Sequence, residues 1–365
     1  MKIVNTDKQY RFMGDNLKIL NKLLPDTYIV RFSERSGFFL EKYFSFEINE
    51  EKVYGVHDEK ITKVMNSFKQ FNRNLGVILS GKKGIGKSLF AKMLCNTSVE
   101  AGIPVIVVDM FVPGIHSFIE EIEQEVVVLF DEFDKTFGSA SKDGGNNAQT
   151  SMLSLFDGVS AGKKMYIITC NQVNSLSEYL VNRPGRFHYH LRFEYPNAQE
   201  VETYMKDKID EQYWGEIAKV VNFANRTDLN YDCLRAIAFE LQNGEKFETA
   251  IADLNILNVE SLRYDITIHF DTGETARRDE YALDMFENRV INLGIGSVRD
   301  VFLMAQVNPS LAKYDIERGC SILEADKIEI KSEYDEENDI KVAKSLSPIC
   351  IEFRRCASKS FHYAV

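Results

Sequence analysis

The chain has 365 residues, of which 44% are hydrophobic, and it carries a formal net charge of −11. The length is sufficient for two or three domains, and the hydrophobic share is ample for a packed core. The excess of acidic residues argues against a nucleic-acid-binding protein with a basic surface throughout. A local basic channel is compatible with this charge.

The N-terminus and the cysteines indicate where the protein works. MKIVNTDKQY contains no apolar core of signal-peptide length, and no run in the chain reaches the ~18 apolar residues that a membrane span requires. The six cysteines are scattered without a C-x-x-C pair, which is typical of reduced, mostly buried residues. We therefore expect a cytoplasmic protein without a membrane partner.

Residues 1–70 show a mixed α+β pattern. TYIVRF and FFLEKYFSFEI are strand candidates, and KITKVMNSFKQF repeats apolar residues at helical spacing. We expect an N-terminal α+β segment that ends at about residue 70.

Residues 71–196 alternate short apolar runs with helical stretches. The run at 75–79 and the segments IPVIVVDM, VVVLF and MYIITC have the length of buried strands, while SFIEEI and SMLSLFDGV are helix candidates. This alternation predicts an α/β domain with a mostly parallel sheet covered by helices on both faces. The small, polar segment GSASKDGGNNAQ, residues 138–149, predicts a flexible loop.

The rest of the chain divides into a helical and a β-rich part. Residues 197–245 carry apolar positions at three- and four-residue spacing, which predicts a small helical lid. Residues 246–365 contain SLRYDITIHF, SILEADKIEIK and SPICIEFRRCA, whose alternation predicts a β-rich C-terminal domain. The acidic run EYDEEND, residues 333–339, is typical of a solvated loop.

The segment GKKGIGKS, residues 81–88, meets the P-loop pattern G-x-x-x-x-G-K-[ST] in full. Its glycines let backbone N–H groups face the phosphates of a nucleoside triphosphate, while Lys87 can reach the outer phosphates and Ser88 can bind Mg²⁺. A glycine-rich turn that meets the pattern by chance is the alternative, and the flanking strand and helix argue against it. The predicted nucleotide-binding residues are Gly81, Lys82, Lys83, Gly84, Ile85, Gly86, Lys87, Ser88 and Leu89.

Polar residues follow two of the other predicted strands. Asp131 comes directly after VVVLF, where a carboxylate can hold Mg²⁺, and Glu132 beside it can act as general base for an attacking water. Asn171 follows MYIITC, where its amide can hold that water or touch the γ-phosphate. An exposed acidic strand end and a turn asparagine are the alternatives. Parallel strands bring these residues to the same edge of the sheet as the P-loop.

In this order and spacing, GKKGIGKS, VVVLFDE, ITCN and NRPGRFHY resemble the Walker A, Walker B, sensor 1 and arginine-finger motifs of the AAA+ ATPases, over about residues 71–245. The resemblance implies a ring, usually of six subunits, in which Arg183 and Arg186 reach into the neighbouring subunit's site. A guanidinium placed there neutralises charge on the transferring phosphoryl group. The flanks resemble AAA+ ATPases encoded by large bacteriophages, which implies the cytoplasm of a host cell.

Three further features are candidates for function. Phe111, in MFVPGI, stands where AAA+ translocases carry a pore loop, although a buried phenylalanine is the alternative. Arg235 lies on the expected lid helix, about a turn from the family's sensor 2 position, and a solvated helix face is the safer interpretation. His188 and His190 share one face of a probable strand, where a structural role outweighs metal binding.

The sequence therefore predicts an ATPase ring that uses ATP and Mg²⁺ to remodel or translocate a macromolecule, and a protein substrate is favoured over nucleic acid. One alternative is a DNA-associated motor or loader, whose pore would need basic side chains. The candidates for those side chains are Lys135, Lys142, Lys163 and Lys164. A nucleotide-dependent scaffold with negligible turnover is the other alternative.

Overall fold

A computed structural model describes residues 2–6, 9–15, 17–48, 54, 57–138, 148–157, 161–181, 183–256, 262–334 and 336–356. The chain divides into two compact units, Met1–Glu194 and Tyr195–Val365. Most of the predicted loop at 138–149, including Lys142, lies outside the described residues. The predicted lid and the predicted C-terminal domain fall together in the second unit.

The first unit is built on one large sheet, preceded by a separate hairpin of β1 (Lys2–Thr6) and β2 (Gln9–Met13). Among the described residues, seven strands form the large sheet: β3 (Thr27–Ser33), β4 (Gly37–Lys42), β5 (Leu75–Ser80), β6 (Val105–Val108), β7 (Val126–Phe130), β8 (Lys164–Cys170) and β9 (Phe187–Arg192). Their order is β4-β3-β6-β7-β8-β5-β9. All neighbours run parallel except β3 and β4, which form an antiparallel hairpin at one edge.

Helices cover both faces of this sheet, as the alternation of strands and helices predicted. Along β7, Val127 and Leu129 belong to the core on one face, while Val128 and Phe130 belong to the core on the other. The helices are α1 (His57–Gln70), α2 (Lys87–Glu100), α3 (Ile115–Glu120), α4 (Phe133–Thr136), α5 (Ala148–Ser151) and α6 (Leu153–Phe156). Residues of α1 and α2 line the first core, and residues of α3, α4 and α6 line the second.

Two predicted elements differ in extent. The strand predicted for FFLEKYFSFEI ends at Lys42, because its partner β3 begins at Thr27 and the last backbone bond of the pair joins the Tyr43 N–H to the Thr27 carbonyl. The helix predicted for SMLSLFDGV is split into α5 and α6. The Ser151 hydroxyl donates to the Ala148 carbonyl at 2.7 Å, which competes with the helical hydrogen bonds at this point.

The helical part of the second unit contains α7 (Ala198–Lys208), a 3₁₀ segment (Glu211–Glu216), α8 (Ile217–Arg226), α9 (Tyr231–Gln242) and α10 (Phe247–Asp253). Asn197 and Glu200 form a capping box at the start of α7, and the Asn230 side chain accepts from the Cys233 N–H at the start of α9. Helix α10 continues the helical part beyond residue 245. None of the helices in the described part of the chain combines the length and apolar character that crossing a membrane requires.

The β-rich part of the second unit consists of two antiparallel sheets around one core. The elements are β10 (Leu262–Phe270), β11 (Thr275–Leu283), β12 (Ile291–Val298), β13 (Val301–Val307), β14 (Lys313–Asp315), β15 (Cys320–Glu324), β16 (Ile328–Ser332), α11 (Glu337–Lys344) and β17 (Pro348–Arg355). In the described residues the first sheet has the strand order β11-β10-β17-β15-β14 and the second the order β12-β13-β16. Ile266 and Phe353 from one sheet and Leu293 and Leu303 from the other belong to the same core.

The acidic run at 333–339 is only partly the loop that was predicted. Its last residues begin α11, where Glu337 and Asp339 lie in the first turn. Carboxylates stabilise this end of a helix because they face its positive dipole. The charge pattern therefore marks a helix start as well as a solvated segment.

The C-terminal end of α8 is bonded to the β-rich part of the same unit. The Arg226 guanidinium donates to the carbonyls of Met285, at 3.3 Å, and Ala312. Arg355, at the end of β17, donates to the Ala224 carbonyl at 3.2 Å and pairs with Asp228. We call these bonds the α8 clamp. They join the helices and the sheets of the second unit.

Candidate functional site

The predicted P-loop is the turn between β5 and α2, and its shape depends on glycine. Gly81 has φ +145°, and a Cβ there would overlap the carbonyl oxygen of Phe193. Gly86, which caps α2, has φ +96°. Both conformations disfavour residues with a Cβ, so glycine is required at these two positions of the loop. The loop leads directly into the N-terminus of α2, a helix of 14 residues. Such a helix start attracts anions.

Lys87 ties the loop to the end of β8. Its side chain is buried, and its Nζ donates to the Lys82 carbonyl at 2.5 Å and to Asn171 Oδ1 at 3.1 Å. Burial lowers the pKa of Lys87, and the carboxylates of Asp134 and Asp131 oppose this effect. The structure thus brings together two residues that were predicted from motifs 84 positions apart.

Asp131 lies beside the other predicted metal ligand. The Ser88 hydroxyl donates to Asp131 Oδ1 across 3.5 Å, so a hydroxyl and a carboxylate oxygen adjoin at the start of α2. Oxygen ligands of these two types are those that Mg²⁺ prefers in phosphate-binding sites. The two side chains therefore fit the ion that was expected from the sequence.

Glu132 has an unusual backbone. Its φ is +49° and its ψ is +46°, which is the left-handed region that disfavours residues with a Cβ. Its side chain is about half exposed and pairs with Lys135 one turn ahead. Strained backbone of this kind concentrates at functional sites.

Two residues that the sequence motifs missed hold Asp131, Glu132 and Asn171 in place. The Thr169 hydroxyl contacts both Asp131 and Glu132, and Asp134 Oδ2 accepts from the Asn171 N–H at 2.9 Å. Each stands out only weakly in the sequence. Thr169 is a polar residue within the apolar run MYIITC, and Asp134 follows Asp131 at one helical turn.

The two predicted finger arginines lie in different surroundings. Arg186 is 11% exposed, and its guanidinium forms a bidentate ion pair with Asp157 and donates to the Tyr179 carbonyl at 2.6 Å. Arg183 is exposed and lies over the Tyr179 ring, 5.5 Å from its centroid. Arg186 is therefore engaged within its own chain, and Arg183 lies at the surface.

The other candidate residues are mostly used in packing or in local bonds. Phe111 is partly buried and packs edge-on against Phe137 with ring centroids 5.6 Å apart, so it contributes to the edge of the core. Exposed Arg235 pairs with Asp232 at 3.7 Å. His190 Nε2 bonds to the Ser80 hydroxyl at 2.7 Å, whereas exposed His188 lies edge-on to the Phe71 ring.

Two of the basic side chains considered for a nucleic-acid channel, Lys163 and Lys164, are engaged in contacts away from the P-loop, whereas Lys135 pairs with Glu132 in the candidate site. Lys164 is fully buried and donates to the Ile122 carbonyl at 2.8 Å. Lys163 pairs with Glu125 at 2.8 Å. Both lie at the amino end of β8, whereas the P-loop is at the carboxyl end of the sheet. These contacts argue against a role for the two lysines in a basic channel near the P-loop.

This α/β fold, with a glycine-rich loop leading from a central strand into a helix, defines a nucleotide-binding protein of the P-loop class. Residues 77–195 match the model of the family described as "ATPase family associated with various cellular activities (AAA)". The chain therefore carries a domain of the AAA+ ATPase family, as its ordered motifs predicted.

A curated relative supports this assignment. The chain is 23% identical over 237 residues, 59% of its length, to a protein of Corynebacterium jeikeium (strain K411) that is named "AAA ATPase forming ring-shaped complexes". The matched region spans 43% of that relative's length.

Proposed function

We propose that this protein binds and hydrolyses ATP with Mg²⁺ and works as a homo-oligomeric ring that remodels or translocates a protein. The observation that carries the proposal is the convergence of Lys87, Asn171, Ser88 and Asp131 at the N-terminus of α2. A buried ammonium, an amide and two oxygen ligands next to a helix start are the groups that a triphosphate and its metal ion require.

Each residue of the group has a distinct role in this proposal. Lys87 binds the outer phosphates, and Asn171 holds the attacking water or the γ-phosphate. Ser88 and Asp131 hold Mg²⁺, which when bound neutralises phosphate charge. Glu132 accepts the proton of the attacking water, and it must leave Lys135 to do so, because a paired carboxylate is a weaker base.

The name of the relative and the surface position of Arg183 support the proposed ring. A guanidinium that acts in a neighbouring subunit has to be accessible, and Arg183 is exposed whereas Arg186 is mostly buried against Asp157. We therefore assign the trans contact to Arg183. We assign to Arg186 the support of the turn that presents it.

Two substitutions test the proposed chemistry. Lys87→Ala should abolish ATP binding, because the phosphates lose their buried cation. Glu132→Gln should retain ATP binding and lose at least about 100-fold in turnover, because the general base is removed. Phosphate release and binding of a fluorescent ATP analogue provide the measurements, and the exposed Glu100→Gln is the matched control.

Wild-type turnover in Glu132→Gln would contradict the assigned base, and tight ATP binding by Lys87→Ala would contradict the assigned site. A wild-type protein that binds ATP without hydrolysing it would be a scaffold instead.

The substrate class is tested by what stimulates hydrolysis. An unfolded polypeptide should raise the ATPase rate of the wild-type protein, whereas single-stranded and duplex DNA should leave it unchanged. Stimulation by DNA alone would favour the motor or loader. The burial of Lys164 and the ion pair of Lys163 argue against that result.

A further inference from the structure

Thr169 is a buried hydroxyl residue near the end of β8, and its polar atom contacts two residues of the candidate site. Its side chain is 1% exposed. Its Oγ1 donates to Asp131 Oδ1 at 2.6 Å and accepts from the Glu132 N–H at 2.8 Å. Because a carboxylate only accepts and an amide N–H only donates, these two partners fix the direction of both bonds.

The register of the sheet explains why Thr169 meets this pair. Strands β7 and β8 are parallel, with Phe130 opposite Ile168. The next residues, Asp131 and Thr169, therefore lie side by side where the two strands end. A valine at position 169 would have nearly the same shape but could neither donate nor accept.

The hydrogen bond between Thr169 and Glu132 involves a residue with a strained backbone conformation. Glu132 adopts its left-handed conformation against the preference of residues with a Cβ. The Thr169 hydroxyl accepts the N–H of this residue and so stabilises the conformation that sets the direction of the Glu132 side chain.

The bond to Asp131 fixes the orientation of its carboxylate. Oδ1 accepts from Thr169 at 2.6 Å and lies 3.5 Å from the Ser88 hydroxyl. The shorter bond is the stronger of the two, so Thr169 determines where this oxygen stands relative to Ser88.

We propose that Thr169 is a positioning residue for ATP hydrolysis, whose hydroxyl orients the Asp131 carboxylate for the metal and holds Glu132 in the conformation required of the base. The inference rests on the proposed function. Thr169 itself does not touch the nucleotide in this account. It acts as an outer partner of a ligand, a role whose loss costs about 10–100-fold in metal affinity or activity in other metal sites.

The test compares Thr169→Val with Thr169→Ser. For the valine variant we expect kcat to fall about 10–100-fold. ADP affinity in EDTA should stay within about threefold of wild type, because the contacts of Lys87 and the P-loop are intact. The Mg²⁺ concentration that gives the half-maximal gain in ADP affinity should rise about tenfold. The serine variant keeps the hydroxyl and should restore all three values towards wild type.

A matched control separates positioning from the mere loss of a buried hydroxyl. Ser98 is fully buried in the same unit, and its Oγ donates to the Leu94 carbonyl at 2.7 Å. Ser98→Ala should lower the thermal midpoint and leave the Mg²⁺ dependence unchanged. If Thr169→Val does not fold, Thr169→Cys takes its place, because a thiol forms much weaker hydrogen bonds, and the same effects are expected.

Two results would overturn the inference. One is a valine variant, or a cysteine variant in its place, with wild-type kcat and Mg²⁺ requirement. The other is a serine variant as impaired as the valine variant. A wild-type protein without ATPase activity would instead refute the proposed function, and the Mg²⁺ dependence of ADP binding would still measure the effect of Thr169 on Asp131.

Discussion

At the scale of single residues, the two arginines of NRPGRF show how neighbours in one motif take different roles. Arg186 forms its bidentate pair with Asp157 while its guanidinium also reaches the Tyr179 carbonyl. Arg183, three residues earlier, is exposed over the ring of the same tyrosine. Arg186 stabilises the turn, and Arg183 lies exposed on its surface.

Removing each arginine should therefore have a different consequence. Arg186→Ala should reduce the free energy of unfolding by about 1–2 kcal/mol, because it breaks a bidentate, charge-assisted pair between mostly buried Arg186 and partly exposed Asp157. Arg183→Ala should leave the thermal midpoint unchanged and abolish ATP turnover in the assembled protein. Differential scanning fluorimetry and phosphate release measure the two effects.

Mixing experiments provide the control for the arginine prediction. Subunits with Arg183→Ala and subunits with Lys87→Ala should regain turnover when combined, since each supplies what the other lacks at a shared site. A stable, fully active Arg183→Ala protein would contradict the assignment.

The sequence predicted the positions of the candidate site but not how they are held. Spacing and residue type singled out Lys87, Asp131 and Asn171, because phosphate and metal binding require such groups at strand ends, and the structure places Lys87 beside Asn171. Thr169 was missed because a threonine in a buried strand is usual, and its role depends on the register of β7 against β8.

At the scale of elements, the amino end of β8 contains a buried charge. Lys164 is fully buried at the first position of the strand, and its Nζ donates to the carbonyls of Ile122 and Ala161. Burial lowers the pKa of Lys164 from 10.5 to about 8. The carbonyls partly compensate for lost water, but the charged form is still disfavoured.

This burial predicts a pH dependence of stability. Between about pH 8 and about pH 10.5 the unfolded chain binds more protons at Lys164 than the folded chain, so the free energy of unfolding rises with pH over that range. The rise from this residue is at most about 3 kcal/mol. Below about pH 8 Lys164 is protonated in both the folded and the unfolded chain, so its unfavourable contribution to the free energy of unfolding is at its full size and no longer changes with pH.

Lys164→Met should remove this contribution. Urea unfolding at about pH 7 and about pH 10 should show a smaller gain of stability with pH in the variant than in the wild type. Lys163→Met is the control, since Lys163 is partly exposed and paired with Glu125. Equal pH dependence in the wild type and in Lys164→Met would show that the buried amine does not titrate in this range.

Apolar runs predicted the central strands well, because a strand covered on both faces has to be apolar throughout. Boundaries that depend on a partner were less predictable. The end of β4 is determined by where β3 begins, and the break between α5 and α6 coincides with the local bond of Ser151. Neither relation is visible in the periodicity of FFLEKYFSFEI or SMLSLFDGV.

At the scale of the whole molecule, the chain divides into two compact units, and the predicted parts 197–245 and 246–365 both fall in the second. The second unit combines the helices α7–α10 with both β-rich sheets through the α8 clamp. Tyr264 adds a bond from its hydroxyl to the Asn225 carbonyl at 3.2 Å, and Asn225 donates to the Ser321 hydroxyl at 2.9 Å. These contacts link the last turn of α8 to strands β10 and β15.

The α8 clamp predicts how fragments behave. Residues 195–365 should unfold in one cooperative transition, whereas residues 246–365 should be markedly less stable, because Arg355 and Tyr264 lose their partners on α8. Thermal unfolding followed by circular dichroism and limited proteolysis compares the two fragments. A 246–365 fragment as stable as the longer one would support the predicted boundary at 245 as a true domain border.

The α8 clamp also couples the movements of the two parts of the second unit. Because Arg226 and Arg355 bond the end of α8 to the β-rich part, this end cannot shift without breaking those bonds or carrying the strands with it. We therefore expect a displacement of α8 to be accompanied by a displacement of the β-rich sheets.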